Sequence, residues 1–177
     1  MTFSENDILE ILLHQLRVYW VESDEKVIKS AIPNALKKID EGFRGIPNKR
    51  FYDGENVLFS PYVSLHWMIF LYRLSHEIFL LGGETTPKEA DQVYYLNKIM
   101  HANDWFYSVK LPIHFLCEHP LGSVLGRANY GEYLFVYQGT TVGGNRKEEK
   151  IFYPTIGNNV MLFANATVLG DTYVGNN

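Results

Sequence analysis

His119 is the residue in this sequence best suited to move a proton. It stands in the run Cys117-Glu118-His119-Pro120-Leu121-Gly122, beside a carboxylate, and an imidazole changes charge near neutral pH. Such a group can act as a general acid or base, taking or giving a proton as a bond forms or breaks. The other histidines read differently. His76 follows Tyr72 and Arg73 by one helical turn inside an apolar segment and is expected to be a packed core residue. His66, His101 and His114 lack the partner spacing of a metal site, so no metal is expected. Cys117 is the one cysteine, which excludes an internal disulfide and cysteine-rich metal sites.

The elements that must position His119 show a period of six. Aliphatic or aromatic residues recur at Val124, Tyr130, Val136 and Val142, and after a break at Ile156, Leu162, Val168 and Val174. Neither a lone helix nor a hairpin repeats every six residues. A short fixed repeat means that each turn of chain buries its apolar face only against its neighbours. Small or β-branched residues (Ala128, Thr140, Val160, Ala166, Thr172) follow most anchors by four positions, and Gly122, Gly126, Gly157, Gly170 and Gly175 supply unusual backbone angles. The pattern predicts a β-helix of hexapeptides. The break from Gly143 to Thr155 carries Arg146-Lys147-Glu148-Glu149-Lys150 and reads as a solvated loop, set on one face of the solenoid where such proteins tend to bind ligands.

Upstream, helical spacing takes over. Ile8, Leu12, Leu16 and Tyr19 predict a helix over 5–21; a second runs from Asp24 to Gly42, bent or divided at Pro33. Residues 43–59 form a polar loop containing Asp53. Ser60-Pro61 and Gly82-Gly83 bracket an apolar helix over 62–81, and Thr86 to Glu89 is a capping box for another helix ending near His101. From Asn103 an aromatic-rich extended stretch reads as the first coil, docked on the helices. Two domains are therefore expected, 1–103 and 104–177. His66, Arg73, His76 and Glu77 would be costly in lipid, so 62–81 is not expected to span a membrane. A net charge of -4 without a basic stripe gives no reason to expect nucleic acid. The acidic start, Met1 to Asp7, lacks the features of a signal peptide, and the protein is expected to be cytoplasmic.

Two runs, Tyr137-Gln138-Gly139-Thr140-Thr141-Val142-Gly143-Gly144 and Tyr153-Pro154-Thr155-Ile156-Gly157-Asn158-Asn159-Val160, resemble the serine O-acetyltransferases. Leu71-Tyr72-Arg73-Leu74-Ser75-His76-Glu77 resembles a segment of that family's helical domain, and the likeness covers residues 60–177. The resemblance implies an α+β protein, an N-terminal α-helical domain followed by a C-terminal left-handed parallel β-helix of hexapeptide repeats. It implies acetyl-CoA as co-substrate, an acceptor hydroxyl, a place in cysteine biosynthesis, and a homotrimer or dimer of trimers with sites between neighbouring β-helices. Where the family has Asp-His-Ala/Gly-Thr-Gly, this chain has Glu118-His119-Pro120-Leu121-Gly122. The resemblance then makes His119 the base, Asp104, fifteen residues earlier, its orienting carboxylate, and Glu118 the group that meets the acceptor's amine, with Asp53 as a further amine binder. Gly143, Gly144 and Ala164 fall where small residues line the acetyl-CoA site. The departure lies at the family's Arg-His-Pro run, here Phe152-Tyr153-Pro154: phenylalanine cannot hold a carboxylate, and tyrosine, with a pKa near 10, can donate a hydrogen bond but is a poor base. The expected activity is therefore serine-type O-acetyl transfer, with a different small hydroxyl or amine acceptor such as a sugar, or a non-catalytic trimeric scaffold, as alternatives. Because family members continue for several hexapeptides, the chain reads as truncated at Val174-Gly175-Asn176-Asn177.

Overall fold

The structure, a computed structural model, describes residues 3–83 and 85–177; Met1 and Thr2 of the acidic start lie outside the described residues. The chain divides into two compact units, Met1–Asn97 and Lys98–Asn177.

The first unit is helical. Helix α1 (Glu5–Leu16) opens on a capping box in which the Ser4 hydroxyl accepts from the Asp7 N–H at 3.2 Å and the Asp7 carboxylate accepts from the Ser4 N–H at 2.8 Å. It ends five residues before the expected Val21. Past Leu16 the Val18 and Tyr19 amides turn back to carbonyls only three residues away, which tightens and closes the helix. Helix α2 (Glu25–Phe43) starts at Asp24, whose carboxylate accepts from Lys26 and Val27. Pro33 does not divide it. The lost amide bond is outweighed by a buried stripe that continues on both sides of the proline, from Ile28, Ala31 and Ile32 to Ala35, Leu36 and Ile39, packed on the next helix.

That helix, α3 (Ser64–Leu81), begins four residues after Ser60, where a cap was expected. The Ser60 hydroxyl and carbonyl accept from Tyr62 and Val63, so the serine closes a preceding turn instead. Every residue from His66 to Ile78 is buried. His66 sits among the rings of Phe43, Phe51 and Phe59, with Nδ1 accepting from the Ser60 N–H at 3.3 Å. His76 is buried against Tyr72 and Phe79, a core histidine, and Glu77 pairs with Lys38. Gly82 and Gly83, the latter at φ 57, end the helix. Helix α4 (Lys88–His101) follows; Glu89 accepts from the Asp24 N–H at 2.8 Å, and Asn97 donates to the Met68 carbonyl at 3.1 Å.

The second unit is a parallel β-helix. In chain order its strands are β1 (Phe115–Cys117), β2 (Val124–Leu125), β3 (Asn129–Tyr130), β4 (Leu134–Val136), β5 (Thr141–Gly143), β6 (Asn145–Lys147), β7 (Lys150–Phe152), β8 (Thr155–Ile156), β9 (Met161–Leu162), β10 (Thr167–Leu169) and β11 (Tyr173–Val174). Three parallel sheets, β1-β4-β9, β2-β5-β10 and β3-β8-β11, form three faces, and the chain winds through them in three rungs. Inward columns run Cys117-Val136-Leu162, Leu125-Val142-Val168 and Tyr130-Ile156-Val174. One anchor of the six-residue period is thus displaced. Val124 pairs with Thr141 and stays 38% exposed, while Leu125 takes the interior place. In the segment before β1, Trp105, Tyr107, Val109 and Leu111 are buried in alternation, and Trp105 Nε1 donates to the Ser123 hydroxyl at 2.9 Å.

Each corner has its own backbone device. At the first, between the β1 and β2 faces, left-handed residues stack: Ala102 (φ 51), Gly122 (φ 72), Gly139 (φ 64) and Asn165 (φ 60). Gly139 has no room for a side chain, since a Cβ there would lie 2.2 Å from Asn165 Oδ1. The second corner, between the β2 and β3 faces, extrudes the charged run. It is an exposed antiparallel hairpin of β6 and β7, with Glu148 at φ 54 in its turn, and not an irregular loop. At the third corner Glu132 accepts from the His114 N–H (2.9 Å), Asn158 from the Glu132 N–H (2.8 Å) and Asn176 from the Asn158 N–H (2.7 Å).

Candidate active site

Residue counts around the first corner separate one rung from the other two. The chain passes from Val136 to Thr141 and from Leu162 to Thr167 in five residues, but takes seven from the matching Cys117 to Val124. The two additional residues make a bulge containing His119 and Pro120. His119 is at φ 48, outside the stacked left-handed column and directly before a proline, a backbone combination that costs on the order of 1–3 kcal/mol. Its carbonyl accepts from the Leu121 N–H at 2.7 Å, and the Gly122 N–H returns to the Ala102 carbonyl at 2.7 Å. The imidazole is exposed, and among the described residues no hydrogen bond engages it. Glu118, also exposed, precedes it.

Asp104 belongs to the turn of chain before the first rung, bridged in parallel to Val124: its N–H donates to the Ser123 carbonyl at 2.8 Å and its carbonyl accepts from the Leu125 N–H at 3.0 Å. The backbone therefore brings Asp104 to the same end of the unit as the His119 bulge. Its carboxylate faces Lys98, with Oδ2 2.7 Å from Nζ. Ala164 lies exposed in the first corner of the third rung.

The remaining residues occupy the second corner. Gly143 pairs with Leu169 at the end of β5, and Gly144 opens the hairpin with the Tyr153 ring and Ile151 against it; a Cβ there would stand 2.8 Å from the Tyr153 ring. Tyr153 is 40% exposed. Phe152 carries the Lys147 ammonium 5.7 Å from its ring centre, and that ammonium also lies 3.3 Å from Asp171. One chain thus places Glu118, His119 and Ala164 on one edge of the β2-β5-β10 face and Gly143, Gly144, Phe152 and Tyr153 on the other. Asp53 lies in the helical unit, where its carboxylate accepts from the Glu55 and Asn56 amides; those bonds hold it below the usual carboxylate range.

Burial pushes the Cys117 thiol strongly upward, so the cysteine beside the bulge is an interior anchor and not a nucleophile. Among the described residues no group of three or more His, Cys, Asp or Glu is placed to hold a metal ion, and no helix is long and apolar enough to cross a membrane. A hollow of about 500 Å³ lies in the helical unit between Arg17, Trp20, Asp24 and Lys88 and includes none of the candidate site residues.

The period of six passed over an aromatic pair at the first corner. Tyr137 and Phe163 follow the paired anchors Val136 and Leu162, and their rings stack at 5.6 Å and 11°. Glu118, after Cys117, is the first-rung member of the same column. Counting from Cys117 instead of Val124 would have exposed both the column and the seven-residue corner.

No family model matches the chain. A serine acetyltransferase of Synechococcus elongatus is 43% identical over 61 residues, 34% of this chain and 25% of the relative. That of Synechocystis is 31% identical over 104 residues, 58% of this chain and 41% of the relative. The chain therefore matches less than half the length of these curated relatives. A serine acetyltransferase solved in complex with CoA superposes over 97% of this chain and 72% of its own at a TM-score of 0.72, with 19% identity. That likeness gives the fold its full description, an α-helical domain followed by a left-handed parallel β-helix. Sequence is matched over part of the chain and architecture over nearly all of it, and both likenesses are to serine acetyltransferases.

Proposed function

We propose that the β-helical unit transfers an acetyl group from acetyl-CoA to an acceptor hydroxyl, with His119 as general base. The imidazole takes the hydroxyl proton as the oxygen bonds to the acetyl carbon; the carbon–sulfur bond breaks, and the proton passes on to the departing thiolate, giving the free thiol of coenzyme A. The observation that carries this reading is the seven-residue corner. Two neighbouring rungs make the same turn in five residues, and the additional pair holds an exposed histidine at a strained angle with its ring unengaged. Strain of this kind persists where something other than folding maintains it. The names of the relatives and the bound CoA of one neighbour support the choice of co-substrate.

In this reading Asp104 is a positioning carboxylate that shares its charge between Lys98 and the imidazolium, Glu118 receives an acceptor amine or hydroxyl, and Tyr153 donates a hydrogen bond. Gly143, Gly144 and Ala164 are the small residues that would line the path of the thioester and the pantetheine arm, and Asp53 is kept as a further amine binder. The two groups of residues lie on different corners of one β-helix, which supports a homotrimer, or dimer of trimers, whose clefts join the first corner of one copy to the second of the next. We place the protein in the cytoplasm.

The test is thiol release from acetyl-CoA by wild-type protein and by His119→Ala. A loss on the order of 10²–10⁴-fold, with circular dichroism unchanged, is expected for a general base. Equal rates would refute the assignment. Light scattering that finds a stable monomer at micromolar concentration would refute the trimeric site.

A further inference from the structure

We propose that the acceptor subsite beside His119 binds a pyranose ring, an amino sugar by preference, laid against Tyr137. This deepens the acetyltransferase reading and rests on it for the word acceptor. The first-corner column runs Glu118, Tyr137, Phe163 through successive rungs. Its second and third members are stacked rings, with Phe135 packed on Tyr137 at 5.1 Å, and Phe163 remains 64% exposed. The stack stops one rung short: at the first rung the column holds a carboxylate, and the next residue is His119. A ring seated there would lie under Tyr137, with one polar edge at Glu118 and another at the imidazole.

Chemistry narrows the occupant. An aromatic face takes the apolar C–H face of a saturated sugar ring by burial and dispersion. A carboxylate facing the same space accepts from ring hydroxyls and attracts an ammonium group. The same carboxylate disfavours the polyanionic nucleotide of coenzyme A. The 62% exposed Leu121 adds apolar surface within the bulge. Free serine has no ring face to lay against Tyr137, and at the other corner its carboxylate would meet Phe152 and a lysine already shared with Asp171.

The test uses the full chain and a binding readout that does not require turnover: calorimetry and saturation-transfer NMR with methyl glucosaminide, methyl glucoside and L-serine. Wild type should bind the glucosaminide in the millimolar range or better. Tyr137→Ala should weaken it about tenfold and Tyr137→Phe hardly at all, as expected for loss of a stacking face. Glu118→Gln should abolish the preference for glucosaminide over glucoside. No glycoside binding by wild type, or binding indifferent to Tyr137→Ala, would overturn the subsite. Glycoside binding by wild type without acetyl transfer to any acceptor would defeat the acetyltransferase reading alone and leave the sugar subsite standing.

Discussion

Helix α3 and the first corner of the β-helix both present histidines, and the two places treat the same side chain in opposite ways. In α3, His66 is 2% exposed among three phenylalanine rings, and burial, opposed only by the Arg50 backbone, pushes its pKa down to about 4. It is neutral at any physiological pH and fills space. At the corner, His119 stands exposed on a strained turn with its ring unengaged. The difference teaches that regular packing silences an imidazole, and that a break in a repeat is what leaves one available for chemistry.

The contrast breaks most sharply at His119. Replacement by alanine should remove two to four orders of magnitude from acetyl transfer, as above, while thermal stability barely moves. In α3 the outcome should invert. His66→Ala should cost about 2–5 kcal/mol of stability by emptying a caged site, measured by urea unfolding, and leave turnover per folded molecule unchanged. A catalytic defect in folded His66→Ala would erase the distinction between the two regions.

Acid sharpens the comparison. Between pH 6.5 and about 4 the unfolded chain protonates His66 and the folded chain does not, so stability is highest above pH 6.5 and falls as pH drops toward 4. His66→Phe should flatten that limb of the stability curve. At the third corner burial alone would raise the Glu132 carboxyl. The bonds donated by the His114 amide and ring and by the Ile113 amide together outweigh it and hold the pKa below the ordinary value. Its contribution is present above the unfolded-state pKa and lost as pH falls through the lower folded one. Glu132→Gln should remove that loss, seen as a shallower melting-temperature decline below pH 4.5.

The smallest effect expected is at the backbone of His119 itself. His119→Gly relieves a positive φ and should raise stability by about 1 kcal/mol while abolishing turnover, so that one substitution reads strain and chemistry in opposite directions. A lower melting temperature would mean that the turn is comfortable and the strain illusory.

The fold was legible because repetition and burial both leave marks in sequence: a period of six for the rungs, and a long apolar run for α3. What failed to show were features decided by competition between local options. Pro33 predicts a bent or divided helix, and burial on both sides keeps α2 undivided. Ser60-Pro61 predicts a cap, yet the serine is spent on its own turn. At the site, His119, Glu118 and the altered Phe152-Tyr153 pair stood out by residue type. The two additional residues at the first corner did not, because Val124 falls in phase with the later anchors while the interior position is Leu125. A periodicity fitted to the outer residue hides the irregularity next to it.

The third corner has a consequence for how the chain is made. His114, Glu132, Asn158 and Asn176 form a line in which each side chain after the first reaches back to hold the amide of the rung before it. In this line of side chains each turn is thus held by its successor, while the backbone bonds at the same corner run the other way, from the Leu134, Asn159 and Asn177 amides to the His114, Glu132 and Asn158 carbonyls. During synthesis the nascent chain would fasten its rungs with a constant lag of one, and a ribosome pausing between Tyr130 and Glu132 would leave the His114 turn unlatched until the glutamate emerged. The molecule carries the direction of translation in its side chains.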